Sequence, residues 1–191
     1  MTFLPSRCFH CRRFTRDSAV CTACRRQTRL KHVWVLTDYD GVAKQILGKY
    51  KFHRAKSAHT TIAQAMVEAL PDIPSTTLVV PVPSATKRIR TRGYDHAALI
   101  AQDVSKLRGL TYSPILARLT QTRQVGTDKK HRISQLKEAF CLKSPDLRLV
   151  GKEVLIIDDV TTTGATLDCV AEELYKAGAR QINALIFAQK Q

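Results

Sequence analysis

Four apolar residues in a row, Val154-Leu-Ile-Ile157, run directly into two carboxylates, Asp158 and Asp159. An unbroken apolar run needs cover on both faces, which strands of a parallel α/β sheet receive and half-exposed antiparallel strands do not. Two adjacent carboxylates cannot follow such a run into a core without partners. The strand is therefore expected to end at Ile157, with the acids opening a polar turn from Asp158 to Gly164. An amphipathic helix from Ala165 to Ala177, closed by Gly178, is expected next. Thr77-Leu-Val-Val-Pro81 reads as a second short buried strand stopped by Pro81 and Pro83, and Ala97, Leu99, Ile100, Val104 and Leu107 are spaced as one face of a helix. Gln181 to Ala188 gives a last apolar strand, and helices are expected over Val42–Tyr50 and Ser57–Leu70. Strands alternating with helices imply an α/β fold, a mostly parallel sheet flanked by helices, whose ligands bind beyond the carboxyl ends of the strands. The polar, basic stretch from Thr120 to Leu136 reads as a mobile loop.

The turn after Ile157 suits a sugar phosphate. Backbone N–H groups of the turn and of the helix that starts at Ala165 make an anion cradle, Thr162, Thr163 and Thr166 add hydroxyl donors, and Gly164 permits close backbone approach. Asp158 and Asp159 can accept hydrogen bonds from a sugar diol or hold a hydrated Mg²⁺. A helix cap needs a single Ser, Thr or Asp and leaves the paired acids and the glycine unexplained. Residues 154–166 resemble the phosphoribosyl-pyrophosphate-binding signature of type I phosphoribosyltransferases, with Thr161 where many members have an aliphatic residue. The resemblance implies that Asp158, Asp159, Thr162, Thr163, Gly164, Ala165 and Thr166 bind phosphoribosyl pyrophosphate with Mg²⁺, the two acids also serving any catalysis. It implies, too, that a loop after an earlier strand holds the pyrophosphate. Val82-Pro-Ser-Ala-Thr-Lys-Arg88 is the matching segment, with Ser84 and Thr86 as hydroxyl donors and Lys87 and Arg88 as cations.

The first thirty residues stand apart. They carry four of the six cysteines, many arginines and few aliphatics, too little to close a core of their own. Cys8-x₂-Cys11 and Cys21-x₂-Cys24 supply four thiolates from two tight turns, the arrangement of a tetrahedral structural Zn²⁺ site. Dithiol redox pairs are the alternative, but those sit on a βαβ core rather than in an arginine-rich segment. Residues 1–32 are accordingly read as a zinc knuckle and 33–191 as the main domain, with His10 at the knuckle's surface or behind its ligands and Cys141 and Cys169 as small apolar groups. The chain is expected to be cytoplasmic: it has no long apolar span and no signal-peptide core, and reduced thiols favour a metal site over disulfides.

A formal net charge of +15 in 191 residues implies a polyanionic partner. The cations cluster between Arg7 and Lys31, at Lys87, Arg88, Arg90 and Arg92, and from Arg118 through Arg123, Lys129 and Lys130 to Arg132. Pro81-Val-Pro83, Lys87-Arg-Ile-Arg-Thr-Arg-Gly-Tyr94, Arg118, Thr122-Arg-Gln124, Arg132, Ala139-Phe140 and the Asp-Asp-Val-Thr-Thr-Thr-Gly segment, with the cysteine pairs and the Tyr39 to Lys51 region, together resemble the ComF family of competence-associated, phosphoribosyltransferase-like proteins. Asp95-His96 stands where that family usually has Asn-Gln, and Gln135 where it has Asn. The resemblance implies a cytoplasmic protein of DNA uptake and natural transformation that binds phosphoribosyl pyrophosphate with Mg²⁺ and single-stranded DNA. Any membrane association would run through the inner-membrane DNA-uptake machinery. Phe9, Trp34 and Tyr94 are the aromatics available for base stacking. Two other readings stay open: an active phosphoribosyltransferase working on a nucleobase or other small acceptor, and a salvage enzyme whose charge is incidental.

Overall fold

The computed structural model describes residues 5–52, 57–119, 139–144 and 146–190. Its centre is a five-stranded sheet in the order β1-β7-β6-β2-β3, with every pairing parallel. The strands are β1 (Leu30–Asp38), β2 (Leu78–Pro81), β3 (Thr111–Tyr112), β6 (Glu153–Thr161) and β7 (Gln181–Gln189). A separate antiparallel ribbon joins β4 (Leu116–Arg118) to β5 (Phe140–Leu142). Leu119 N–H donates to Ala139 O across the ribbon's open end. The helices are α1 (Gly41–Phe52), α2 (Ala58–Glu68), α3 (Thr86–Arg92), α4 (His96–Arg108) and α5 (Ala165–Lys176).

The sheet is buried on both faces, as the apolar run at 154–157 requires. Val154 and Ile156 join the cluster of Leu167, Val170, Ala171 and Leu174 from α5, while Leu155 and Ile157 join Leu47, Tyr50, Ile62, Met66, Ile100 and Val104 from α1, α2 and α4. Each such aliphatic side chain contributes on the order of 1.5–3 kcal/mol by leaving water.

Two local expectations are corrected, and one strand lies where none was expected. Strand β6 does not stop at Ile157: Asp158, Val160 and Thr161 pair with Ile186, Ala188 and Gln189, because β7 runs beside β6 to that point. The acids thus lie on the strand, not in the turn. Lys87 and Arg88 sit on the short helix α3, not in an open loop; its caps are Ala85 in extended backbone and the left-handed Gly93. Strand β1 begins at Leu30, in a segment whose sequence pattern does not announce a strand. The region read as a loop from Thr120 to Leu136 lies outside the described residues, as do Arg123, Lys129, Lys130 and Arg132.

The cysteine-bearing segment folds onto the same face of the sheet as α5. Cys8 and Phe9 share a core with Val33 and Ile186, and Val20 N–H donates to Lys31 O at 2.9 Å. Its contacts with α5 fall on Gly164, Asp168, Glu172 and Tyr175, three and four residues apart and so along one stripe of the helix. The Phe9 ring lies against Gly164, His10 Nε2 is 3.4 Å from Asp168 Oδ1, and Arg29 Nε donates to Glu172 Oε2 at 2.9 Å with its guanidinium 4.0 Å from the Tyr175 ring centre. The Arg29 pair is exposed, screened by solvent and adds little. Buried Phe9 is therefore the main anchor.

Gly164 is fixed by two constraints. Its φ is +83°, a left-handed value that favours glycine, and a Cβ there would overlap the Phe9 ring. Gly164→Ala is expected to cost about 1–3 kcal/mol from backbone strain, before the steric overlap is counted. It should lower the melting temperature by several degrees and expose the cysteines at 8, 11, 21 and 24 to faster thiol alkylation. Alkylation at the wild-type rate would show that the segment does not lean on this glycine.

Candidate anion site and metal knuckle

A cavity of about 260 Å³ opens at the carboxyl ends of β6 and β2, several times the roughly 30 Å³ share of one water molecule. Asp158, Asp159 and Val160 enter it from β6, Val82, Pro83 and Ser84 from the segment after β2, and Thr166 from the first turn of α5. Four cations converge on the same space: Lys51 from α1, Arg88 and Arg92 from α3, and Arg118 from β4. His96, at the start of α4, completes the wall.

Adjacent strand residues leave on opposite faces, so the two acids meet different surroundings. Asp159 is met by Lys51, Nζ to Oδ2 at 2.7 Å, with both side chains largely buried. The Asp159 N–H donates to Asp158 Oδ1 at 2.8 Å. Burial pushes the Asp158 carboxyl well above the usual carboxylate range, and the charge of Asp159 adds to the rise. Arg118 is shifted down, chiefly by burial and then by Arg88; it also lies over the Phe140 ring at 5.2 Å. His96 is 2% exposed; burial lowers its pKa, and its Nε2 has no hydrogen-bond partner in the described structure.

Of the residues expected to bind ligand, Ser84, Arg88, Asp158, Asp159 and Thr166 are brought together in the cavity wall. Thr162 and Thr163 are exposed on the turn above it, Gly164 is buried under Phe9, and Ala165 begins α5. The Ser84 hydroxyl donates to Asp95 Oδ1 and its N–H to Asp95 Oδ2, both at 3.0 Å, so Asp95 pins this segment while also capping α4. Lys87 is exposed and lies outside the wall. Sequence reasoning does not assign Lys51 or His96 to the site. The acid that Lys51 meets is distant along the chain, and only His96's departure from the Asn-Gln pattern marks its position. Phe9 and Trp34 are 4% and 9% exposed, and Tyr94 packs against both Tyr50 and His96, so burial withdraws the first two from base stacking.

The sulfurs of Cys8, Cys11, Cys21 and Cys24 lie within 4.8 Å of one another, with Cys11 and Cys21 3.6 Å apart. Four sulfurs bound tetrahedrally to Zn²⁺ at about 2.3 Å would be separated by about 3.8 Å, so the residues fit that ion. The Cys21 thiol is lowered, first by the Cys24 backbone N–H, and the Cys24 thiol is raised, first by burial and then by its neighbouring thiols. Two backbone turns present the ligands, Arg12 N–H to Cys8 O at 2.7 Å and Arg25 N–H to Cys21 O at 2.9 Å. No helix among the described residues is long and apolar enough to cross a membrane.

The comparison with known proteins agrees with this arrangement. Residues 89–191 match the family model described as the phosphoribosyl transferase domain. Competence protein F of Haemophilus influenzae is 26% identical, over 95% of this chain and 96% of its own length. DNA utilization protein YhgH of Escherichia coli K12 is 26% identical, over 92% and 86% respectively. Competence protein ComFC of Streptococcus pneumoniae is 24% identical, over 83% and 68%. With its mostly parallel sheet, its acid-bearing strand end and a family match that spans more than half of its length, the chain belongs to the phosphoribosyl transferase domain family and is a relative of the competence protein F and YhgH proteins.

Proposed function

We propose that this protein binds phosphoribosyl pyrophosphate with Mg²⁺ in the cavity at the end of β6, and single-stranded DNA on the basic surface of the knuckle, as a cytoplasmic DNA-handling protein of the competence type. The observation that carries the first half is the convergence of Lys51, Arg88, Arg92 and Arg118 on a cavity that also holds Asp158 and Asp159. Four cations around two carboxylates leave a positive surplus for a polyanion to neutralise. Diphosphate oxygens would meet Arg88, Arg92 and Arg118, the sugar diol would lie against the two acids, and the 5′-phosphate would take the N–H groups of the turn at 162–166. Mg²⁺, when bound, neutralises the diphosphate; Asp158 and Asp159 are the residues suited to hold it. Lys51 engages Oδ2 of Asp159, and a carboxylate has further lone pairs with which it would accept a diol or hold a metal. Whether pyrophosphate is released with a nucleobase, or with DNA, as acceptor distinguishes turnover from binding alone.

The second half rests on exposed cations beside the cysteines, Arg13, Arg25 and Arg26 among them, and on the names of the relatives. Phosphate contacts by such residues carry no base information.

Two outcomes follow. Asp158→Asn is expected to weaken Mg²⁺-dependent phosphoribosyl pyrophosphate binding in calorimetry by roughly two powers of ten, the effect of removing one or two charge-assisted hydrogen bonds. The same variant should be more stable than wild type at neutral pH. With the folded pKa raised, ionising Asp158 opposes the folded state, and that penalty is absent below the unfolded value of about 3.9 and grows as pH rises toward the folded one. Melting curves at acid and neutral pH should therefore converge at the acid end, and wild-type binding by the variant would remove Asp158 from the site.

For DNA, Arg13→Glu with Arg25→Glu and Arg26→Glu should weaken single strands of every sequence alike. It should also make the log–log salt slope shallower by about 0.7 for each phosphate that the variant no longer neutralises. Metal analysis should still find about one Zn²⁺ per chain, since the four thiols are untouched. An unchanged affinity and slope would assign the knuckle's charge to another partner.

A further inference from the structure

The turn at 161–164 receives part of its support from outside the main domain's own elements. Thr162 and Thr163 are exposed, and the hydrogen bond across the turn, Ala165 N–H to Thr163 Oγ1 at 3.4 Å, is long. Lys190 N–H donates to Thr161 O at 2.9 Å and ties the turn's entrance to the end of β7. Its exit is different: Gly164 is buried, and the surface that covers it is the ring of Phe9, the residue between Cys8 and His10 of the first cysteine turn. Phe9 in turn is held from below by Gln189 Nε2, which donates to Phe9 O at 3.0 Å inside the core, and its ring packs on His10 at 3.9 Å between centres. His10 then stands 3.4 Å from Asp168, one turn into α5.

We propose that Phe9 is a positioning residue for the sugar-phosphate turn, so that the folded knuckle sets how tightly the cavity holds a phosphoribosyl group. This rests on the reading of the cavity as a phosphoribosyl pyrophosphate site. The physical basis is packing. A left-handed glycine with no Cβ has little side-chain means of holding its own conformation, and a rigid aromatic face pressed on it removes the alternatives. The N–H groups at 162–166 can bind a phosphate together only while that conformation is held. The knuckle and the cavity are then linked reciprocally: whatever orders the cysteine turn raises affinity in the cavity, and a bound phosphoribosyl group protects the cysteine turn.

The role separates from mere stability because the cations Arg88 and Arg118 come to the cavity from α3 and β4, whereas Phe9 lies against Gly164 at the start of α5. Phosphoribosyl pyrophosphate, which needs the turn, and inorganic pyrophosphate, which needs the cations, are therefore compared by calorimetry with Mg²⁺ in wild type, Phe9→Ala and Phe9→Leu. The expected result is that Phe9→Ala weakens phosphoribosyl pyrophosphate at least tenfold and pyrophosphate less than twofold, with Phe9→Leu between wild type and alanine and Zn²⁺ content retained. Equal weakening of both ligands, or no weakening of either, overturns the proposal. If Phe9→Ala loses its metal, the comparison passes to Phe9→Leu, which keeps an apolar filler against Gly164. Amide hydrogen exchange of residues 161–166 without ligand gives a second readout, expected to be faster in the variants and refuting the role if unchanged. Failure of wild-type protein to bind phosphoribosyl pyrophosphate would instead remove the proposed ligand, and the exchange rates alone would then decide whether Phe9 orders the turn.

Discussion

Because α5 and the cysteine segment cover one face of the sheet and α1, α2 and α4 the other, β6 and β7 have no solvent face along most of their length. Charge can be placed on them only where they run out, and β6 places two carboxylates there. Almost every polar residue of the candidate site follows from that one condition. Buried acids need cations, and Lys51 is supplied by the far end of α1, a helix whose inner face is otherwise apolar. Arg88 and Arg92 come one helical turn apart from α3, and Arg118 comes from the ribbon beside it. A chain this basic concentrates part of its excess charge in a single concave space, where the low dielectric of the walls strengthens it.

What can be read from sequence is local. The strand core at 154–157 and the helix over 165–176 are visible because adjacent residues decide them, and the two Cys-x₂-Cys pairs because ligand spacing decides them. The reach of β6 to Thr161 is not visible, since it depends on β7 pairing beside it rather than on residues 158–161, which are polar or β-branched and suit a turn equally well. Strand β1 is obscured by Lys31 and His32 at its start, where its register against β7 is also irregular. In α3 no residue is buried, so no apolar stripe marks Thr86–Arg92 as helical; Asp95, Ser84 and Gly93 hold it at its ends. Lys51 and His96 cannot be placed at the site from sequence because proximity to Asp159 is a property of the packed helices.

Gly164 has a structural role that its sequence context does not suggest. From sequence its role is to let a ligand come close to the backbone. In the folded protein the neighbour that comes close is Phe9, from more than one hundred and fifty positions earlier in the chain. Conformational freedom at that glycine serves the joint between the cysteine turn and α5.

The ribbon of β4 and β5 brings Leu119 and Ala139 within one backbone hydrogen bond of each other, at the foot of the cavity wall that Arg118 provides. The pairing of these two short strands therefore sets where that cation stands: a change at Leu119 or Ala139 would be felt at Arg118, one residue away along the strand, although neither of the two lines the cavity.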